Sequence, residues 1–148
     1  MTRSINNMGT ISKNFSYWEF EASNKADEKG ICNVITTFEV RDAIKALVDT
    51  VLQPLRDAWG KPLHINSGYR CPELNREVGG VPTSQHVKGE AADVACDNPA
   101  ELARLAASMH LPYDQMILYP TFVHFSHRLN SKQRGQTLYN KRYKGEKV

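Results

Sequence analysis

Three side chains in the sequence have the chemistry of metal ligands. His86 and Asp93 stand seven residues apart with Gly89 between them, and His124 follows further along the chain. A catalytic zinc site takes three protein ligands and leaves a fourth position open. Two imidazoles and one carboxylate leave the ion net positive, so it remains a strong Lewis acid. Spacing alone is a weak signal, because two histidines and an aspartate within 39 residues are common in domains of this size. Set between Val123 and Phe125, His124 on its own reads equally as a hydrogen-bonded core histidine.

The elements around these residues decide whether they can meet. Ala91–Cys96 reads as a largely buried strand, with small Ala91 and Ala92 leaving room beside the Asp93 carboxylate. Gln115–Tyr119 and Phe122–Ser126 read as two strands of a hairpin about Pro120-Thr121. Alternation puts Phe122, His124 and Ser126 on one face, and Val123, Phe125 and His127 on the other. His86 falls on a loop and is free to swing towards Asp93. Upstream, Ser16 and Glu19 form a capping box, with Phe15 and Phe20 at the staple positions, and start a short helix over Tyr17–Asn24. Residues 24–37 read as a loop turning at Gly30. Apolar residues from Val40 to Trp59 fall at helical spacing, with a kink at Pro54 and a stop at Gly60. A short strand over Pro62–Asn66 runs into Ser67-Gly68-Tyr69-Arg70, and Pro72–Val78 holds one or two helical turns. Asn98-Pro99-Ala100-Glu101 caps and opens a helix that continues through Met109. Helices first, then strands mixed with helices, predict an α+β domain around a small antiparallel sheet. The expected divisions are a flexible lead-in at 1–14, a body at 15–128 and a basic tail at 129–148.

With 148 residues, 41% hydrophobic and 24% charged, the chain has material for one core and needs no disulfides to fold. No apolar stretch approaches the roughly 18 residues that cross a bilayer. Residues 1–7 lack the apolar centre of a secretory leader, so a cytoplasmic product is expected. Cys32, Cys71 and Cys96 form no C-x-x-C pair and read as free thiols, although Cys71 and Cys96 can pair if the fold joins them. Residues 129–148 carry six Lys/Arg against Glu146 alone, a net +5, whereas the other 128 residues carry 13 Lys/Arg and 15 Asp/Glu, a net −2. A nucleic-acid binder would spread its cations over a folded face, so that class is excluded. The tail, with Tyr139 and Tyr143, reads as solvated. A monomer is expected.

The string Ser84-Gln85-His86-Val87-Lys88-Gly89-Glu90-Ala91-Ala92-Asp93 fills every fixed position of S-x-H-x-x-G-x-A-x-D. Ser67-Gly68-Tyr69-Arg70-Cys71-Pro72-Glu73-Leu74-Asn75 fits S-G-Y-R-x-x-x-x-N. Phe122-Val123-His124-Phe125-Ser126, preceded by Asp114-Gln115, fits a closing [WF]-V-H-x-S strand. In these segments the chain resembles the M15 family of D-alanyl-D-alanine carboxypeptidase-like zinc peptidases, close to its peptidoglycan carboxypeptidase and phage endolysin branch. The resemblance covers residues 15–128. It implies a DD-peptidase-like scaffold similar to that of Hedgehog signalling domains, with a zinc cleft on one face of the sheet. It further implies one zinc ion on His86, Asp93 and His124, and Arg70 holding a carbonyl or carboxylate of a peptidoglycan stem peptide. A guanidinium there can also stabilise an oxyanion. Ser84 suits a hydrogen bond that orients His86. The implied reaction is peptide hydrolysis by a D-Ala-D-Ala carboxypeptidase or an endolysin-type endopeptidase, reaching the wall by phage-type release.

One departure from the family pattern bears on catalysis. Members place an acid a few residues before the final histidine as general base, but Leu118–Phe122 contains none. The nearest upstream carboxylate, Asp114, lies ten residues before His124 and is expected to be mainly structural. Glu90 should point away from Asp93 on a regular strand. The alternative is therefore a non-catalytic zinc-containing module that binds cell wall or a partner. Tyr119 reads as a core tyrosine, with a hydrogen-bond donor in the cleft as the alternative; His64 and His110 read as structural or exposed, and His127 as a poor ligand.

Overall fold

The computed structural model describes residues 9–148, so most of the expected lead-in lies outside the described residues. Thr10–Ser12 (β1) and Phe15–Ser16 (β2) pair antiparallel and turn Ile11 and Phe15 into the core. The chain is thus already ordered within the last part of that expected lead-in. Helix α1 (Tyr17–Glu21) starts at the predicted capping box, where the Ser16 backbone N–H donates to Glu19 Oε2 at 2.7 Å. Phe15 and Phe20 are buried on either side of it. A second helix, α2 (Asn24–Lys29), occupies half of the expected loop; Ser23 Oγ accepts the Ala26 N–H, and left-handed Gly30 ends it. Only Ala26 of this helix is buried, so no hydrophobic period announces it.

The long apolar segment forms α3 (Phe38–Leu47), a π-helical turn (Val48–Leu52) and α4 (Gln53–Trp59). Pro54 has no N–H and its ring would clash with the carbonyl four residues back. The wider turn just before it relieves that conflict, with the Gln53 N–H donating to the Val48 carbonyl. Gly60, at φ 73°, closes α4.

The remaining elements are β3 (His64–Ser67), α5 (Pro72–Glu77), β4 (Ala91–Ala95), α6 (Pro99–Ser108), β5 (Gln115–Leu118), β6 (Val123–Ser126) and β7 (Gln136–Tyr139). The larger sheet has the order β3-β4-β6-β5-β7. All its pairings are antiparallel except β5 with β7. The expected small antiparallel sheet is therefore corrected: the fold is α+β with a two-stranded antiparallel sheet and a larger mixed one. The parallel strand comes from the supposedly solvated tail. It is fastened at both ends, by the Gln136 N–H on the Asp114 carbonyl and the Asn140 N–H on the Leu118 carbonyl.

One face of this sheet is core. Ala92, Val94, Met116, Leu118, Val123 and Phe125 are fully buried there, in one cluster with Leu47, Val51, Leu52, Leu55 and Leu102 from the helices. Burying each large aliphatic side chain contributes about 1.5–3 kcal/mol. The opposite face is left to carry chemistry. The cysteines are free thiols, and no helix among the described residues is long and apolar enough to cross a membrane.

Candidate metal centre

Sheet register brings two of the three candidate ligands together. Asp93 on β4 faces His124 on β6, with Ser67 across on β3 and Ile117 across on β5. Opposed residues on neighbouring strands share a face and stand within about 5.5 Å. The strand period of two then adds Gln115 and Tyr119 to the face of Ile117, and all three line one cleft with His86, Asp93 and His124. That cleft has a volume of about 430 Å³.

His86 arrives from the loop before β4, and the backbone holds it there. Its Nδ1 lies 2.7 Å from the Gly68 carbonyl. A carbonyl can only accept, so the proton sits on Nδ1 and the Nε2 lone pair is presented to the site. The Arg70 N–H returns a bond to the His86 carbonyl at 3.1 Å. Ser84 Oγ accepts the His86 backbone N–H at 3.2 Å; it braces the loop, while Gly68 orients the ring.

The two glycines that flank this arrangement explain themselves. A Cβ on Gly68 would come 2.7 Å from Phe20 Cα, and one on Gly89 would come 2.7 Å from the Val40 carbonyl. Gly89 also has φ 76°, a conformation that costs an L-residue about 1–2 kcal/mol. Gly89→Ala is expected to destabilise the fold by about 2–4 kcal/mol, adding strain to overpacking. Urea unfolding should show a lower midpoint with unchanged slope.

The three residues converge. His124 Nδ1 lies 2.9 Å from Asp93 Oδ1, and His86 Nε2 lies 3.4 Å from the same oxygen. One ligand atom from each falls within 4.8 Å of the others. Tetrahedral zinc with bonds near 2.0–2.2 Å needs ligand atoms roughly 3.3–3.6 Å apart, so the set fits the ion with small adjustments. Burial works against ionisation of Asp93, but its contacts with His124 and then His86 outweigh it and hold the carboxyl below the usual range.

Arg70 stands beside the centre. Its Nη2 is 4.0 Å from Asp93 Oδ2, its Nη1 donates to Asn75 Oδ1 at 3.1 Å and its Nε to Ser67 Oγ at 3.3 Å. Asn75 is itself buried and donates to the Val81 carbonyl, so the S-G-Y-R-x-x-x-x-N spacing has a structural cause. Tyr119, expected in the core, lines the cleft instead and stacks on Phe122 at 4.3 Å. Burial, aided by the Asp93 charge, pushes its phenol up, so it stays a proton donor at neutral pH.

Asp114 is elsewhere. Its carboxylate is fully buried and receives Arg134 Nε at 3.0 Å, Arg134 Nη2 at 2.6 Å, Gln85 Nε2 at 3.2 Å and Arg128 Nε at 3.3 Å. Glu90 accepts the Leu129 N–H away from the ligands. Asp93 is the only carboxylate among the described residues that line the cleft. His64 and His110 are exposed, and His127 stands apart from the cluster. Gln85 and Gln115, at unassigned positions of the quoted segments, and Arg134, outside every one of them, also line the cleft.

Asp114 gives the fold an acid limit. Burial would raise its carboxyl, but the Arg134 hydrogen bonds and the charges of Arg134 and Arg128 bring it from 3.8 down to about 2. The folded value is the lower one, so this stability is complete above pH about 4 and is lost as the pH falls towards 2. The half-exposed arginines are partly screened, leaving an expected loss of roughly 1–2 kcal/mol over that window. Asp114→Asn should flatten this part of the stability–pH curve.

The sequence pattern of the family described as Peptidase M15 matches residues 13–127. A zinc D-Ala-D-Ala carboxypeptidase of Streptomyces albus G is 30% identical over 106 residues, which make up 70% of this chain and 40% of that protein. The chain thus matches less than half the length of this curated relative. The match over most of its length shows that the chain belongs to the M15 family of peptidases.

Proposed function

We propose that the protein is a zinc metallopeptidase that hydrolyses peptide bonds of bacterial peptidoglycan stem peptides, with one zinc ion on His86, Asp93 and His124. The convergence of those ligand atoms on the open face of the sheet carries this reading. When bound, zinc supplies Lewis acidity that polarises a carbonyl and lowers the pKa of water to near 7. Around it, His86 is locked in the metal-binding tautomer by Gly68, and Asp93 brings the negative charge. Arg70, fixed by Ser67 and Asn75, aims a guanidinium at the scissile carbonyl or a terminal carboxylate. Tyr119 offers an O–H to the same space. Its place among the cleft residues makes it a donor to the substrate backbone. The sheet and helices are in keeping with a DD-peptidase-like, Hedgehog-like scaffold acting as a monomer, and an endolysin-type release to the wall fits the same substrate.

That no second carboxylate stands among the described residues of the cleft favours one other reading, a zinc-bearing module that binds wall peptide without cutting it. Digestion of purified peptidoglycan separates the two. The peptidase reading expects new amino termini with zinc-loaded protein and none with His86→Ala, and mass spectrometry of the muropeptides then assigns the bond. Binding without release at every pH from about 5 to 9, the span in which a general base titrates, would establish the module.

A further inference from the structure

Arg134 comes from the loop between β6 and β7, far in sequence from every motif, yet it lines the cleft beside the metal ligands. Its guanidinium is not free to wander. Nε and Nη2 grip Asp114 along one edge at 3.0 and 2.6 Å, and the Arg134 backbone N–H donates to the same carboxylate at 2.8 Å. Asp114 is fully buried, whereas the Arg134 side chain keeps 38% of its exposure. The other edge, formed by Nη1 and the second proton of Nη2, has no partner among the described residues. A guanidinium held flat with one edge unpaired matches a carboxylate bidentately.

The charge around it points the same way. Asp114 is answered by both Arg134 and Arg128, which leaves a surplus positive charge. Beyond Arg134 the cleft continues into a hollow lined also by Lys88 and Arg128. The acid there, Glu90, is offset by Lys88, so the surplus charge of the Arg134 and Arg128 pair remains. Arg70 is the other cation of the cleft, and it is tied to Ser67 and Asn75 next to Asp93. The cleft therefore presents two separately anchored guanidinium groups.

We propose that Arg134, held flat by Asp114, is a second carboxylate-binding residue of this cleft and selects peptides that carry a free carboxylate besides the group held at Arg70. This rests on the peptidase reading of the cleft, because the ligand it assigns is a stem peptide. Asp114 is then a positioning residue, acting through Arg134.

The test uses the zinc-loaded full chain and three synthetic peptides. The first is L-Ala-γ-D-Glu-L-Lys-D-Ala-D-Ala with both carboxylates free; the second is amidated at the glutamyl carboxylate and the third at the C-terminus. Binding is measured by calorimetry, with cleavage followed in parallel. One of the two amidations is expected to weaken binding about tenfold or more, the range of a charge-assisted hydrogen-bonded pair. Arg134→Gln should bring that peptide and the free acid to within about twofold of each other. Because Arg134→Gln leaves Asp114 short of a partner, Arg134→Lys serves as the second variant. It keeps the charge, lacks the fork, and should lose most of the discrimination with zinc content unchanged. Which amidation matters identifies the source of the carboxylate as interior or terminal. Equal binding of all three peptides, binding of none, or discrimination that survives in both variants would overturn the inference. Discrimination without cleavage would instead sink the peptidase reading and leave the carboxylate site standing. Cleavage without discrimination would do the reverse.

Discussion

Replacing Asp93 with alanine is expected to strip the metal from the protein and abolish peptide cleavage. Asp93 is the single anion in the cluster, and both imidazoles converge on its Oδ1. Without it two histidines remain, with the Arg70 guanidinium close by and no carboxylate to offset it. Two neutral donors beside a cation make a poor zinc site. Zinc content should fall below about one-tenth equivalent, and turnover by at least about a thousandfold, as befits a metal that supplies several kcal/mol of stabilisation. Folding should survive, because the core contacts of β4 come from Ala92 and Val94 on the other face of the strand, which the substitution leaves in place. Circular dichroism beside metal analysis checks both halves. An Asp93→Ala protein that keeps a full equivalent of zinc would mean that the ion sits elsewhere.

Arg70→Ala is expected to leave zinc in place and cost turnover. The guanidinium touches Ser67 and Asn75 and stands 4.0 Å from Asp93, so it supports the site from outside the ligand set. If it stabilises the developing oxyanion, its loss should lower kcat/KM by about 2–4 kcal/mol, roughly 30- to 1000-fold. Arg70→Lys should recover little of this, since a point charge cannot reproduce the fork that bonds Ser67 and Asn75. Steady-state kinetics with parallel zinc analysis reads the effect. Unchanged kinetics, or zinc lost with the side chain, would contradict the role.

Much of the frame around this site was legible because its signals are local. The Ser16–Glu19 capping box, the Pro54 disturbance, the Asn98-Pro99 helix start and the Pro120-Thr121 hairpin each depend on a few adjacent residues, and each stands where the sequence placed it. The meeting of His86, Asp93 and His124 was legible only through the motif, since spacing says nothing of register. The rest was hidden for physical reasons. β7 lies among basic residues, and its side chains alternate between exposed and half-buried, so it has no hydrophobic signature. It is held by backbone bonds to β5 and to the Asp114 carbonyl, which composition cannot reveal. Asn33, buried, bonds the Glu21 and Tyr69 carbonyls and the Cys71 N–H, tying three distant segments behind Arg70 without any sequence pattern. Tyr119 stayed open between core and cleft because strand alternation leaves two faces, and only the sheet shows which one is packed.

The measurement closest to the central claim is the zinc stoichiometry of the wild-type chain purified without chelator, followed by stripping and titration with the metal. One equivalent is expected as purified. One equivalent should be regained after stripping, with release of new amino termini from peptidoglycan lost and restored in step. Less than about one-tenth equivalent as purified, and none taken up on addition, would contradict a site built for a three-ligand zinc centre.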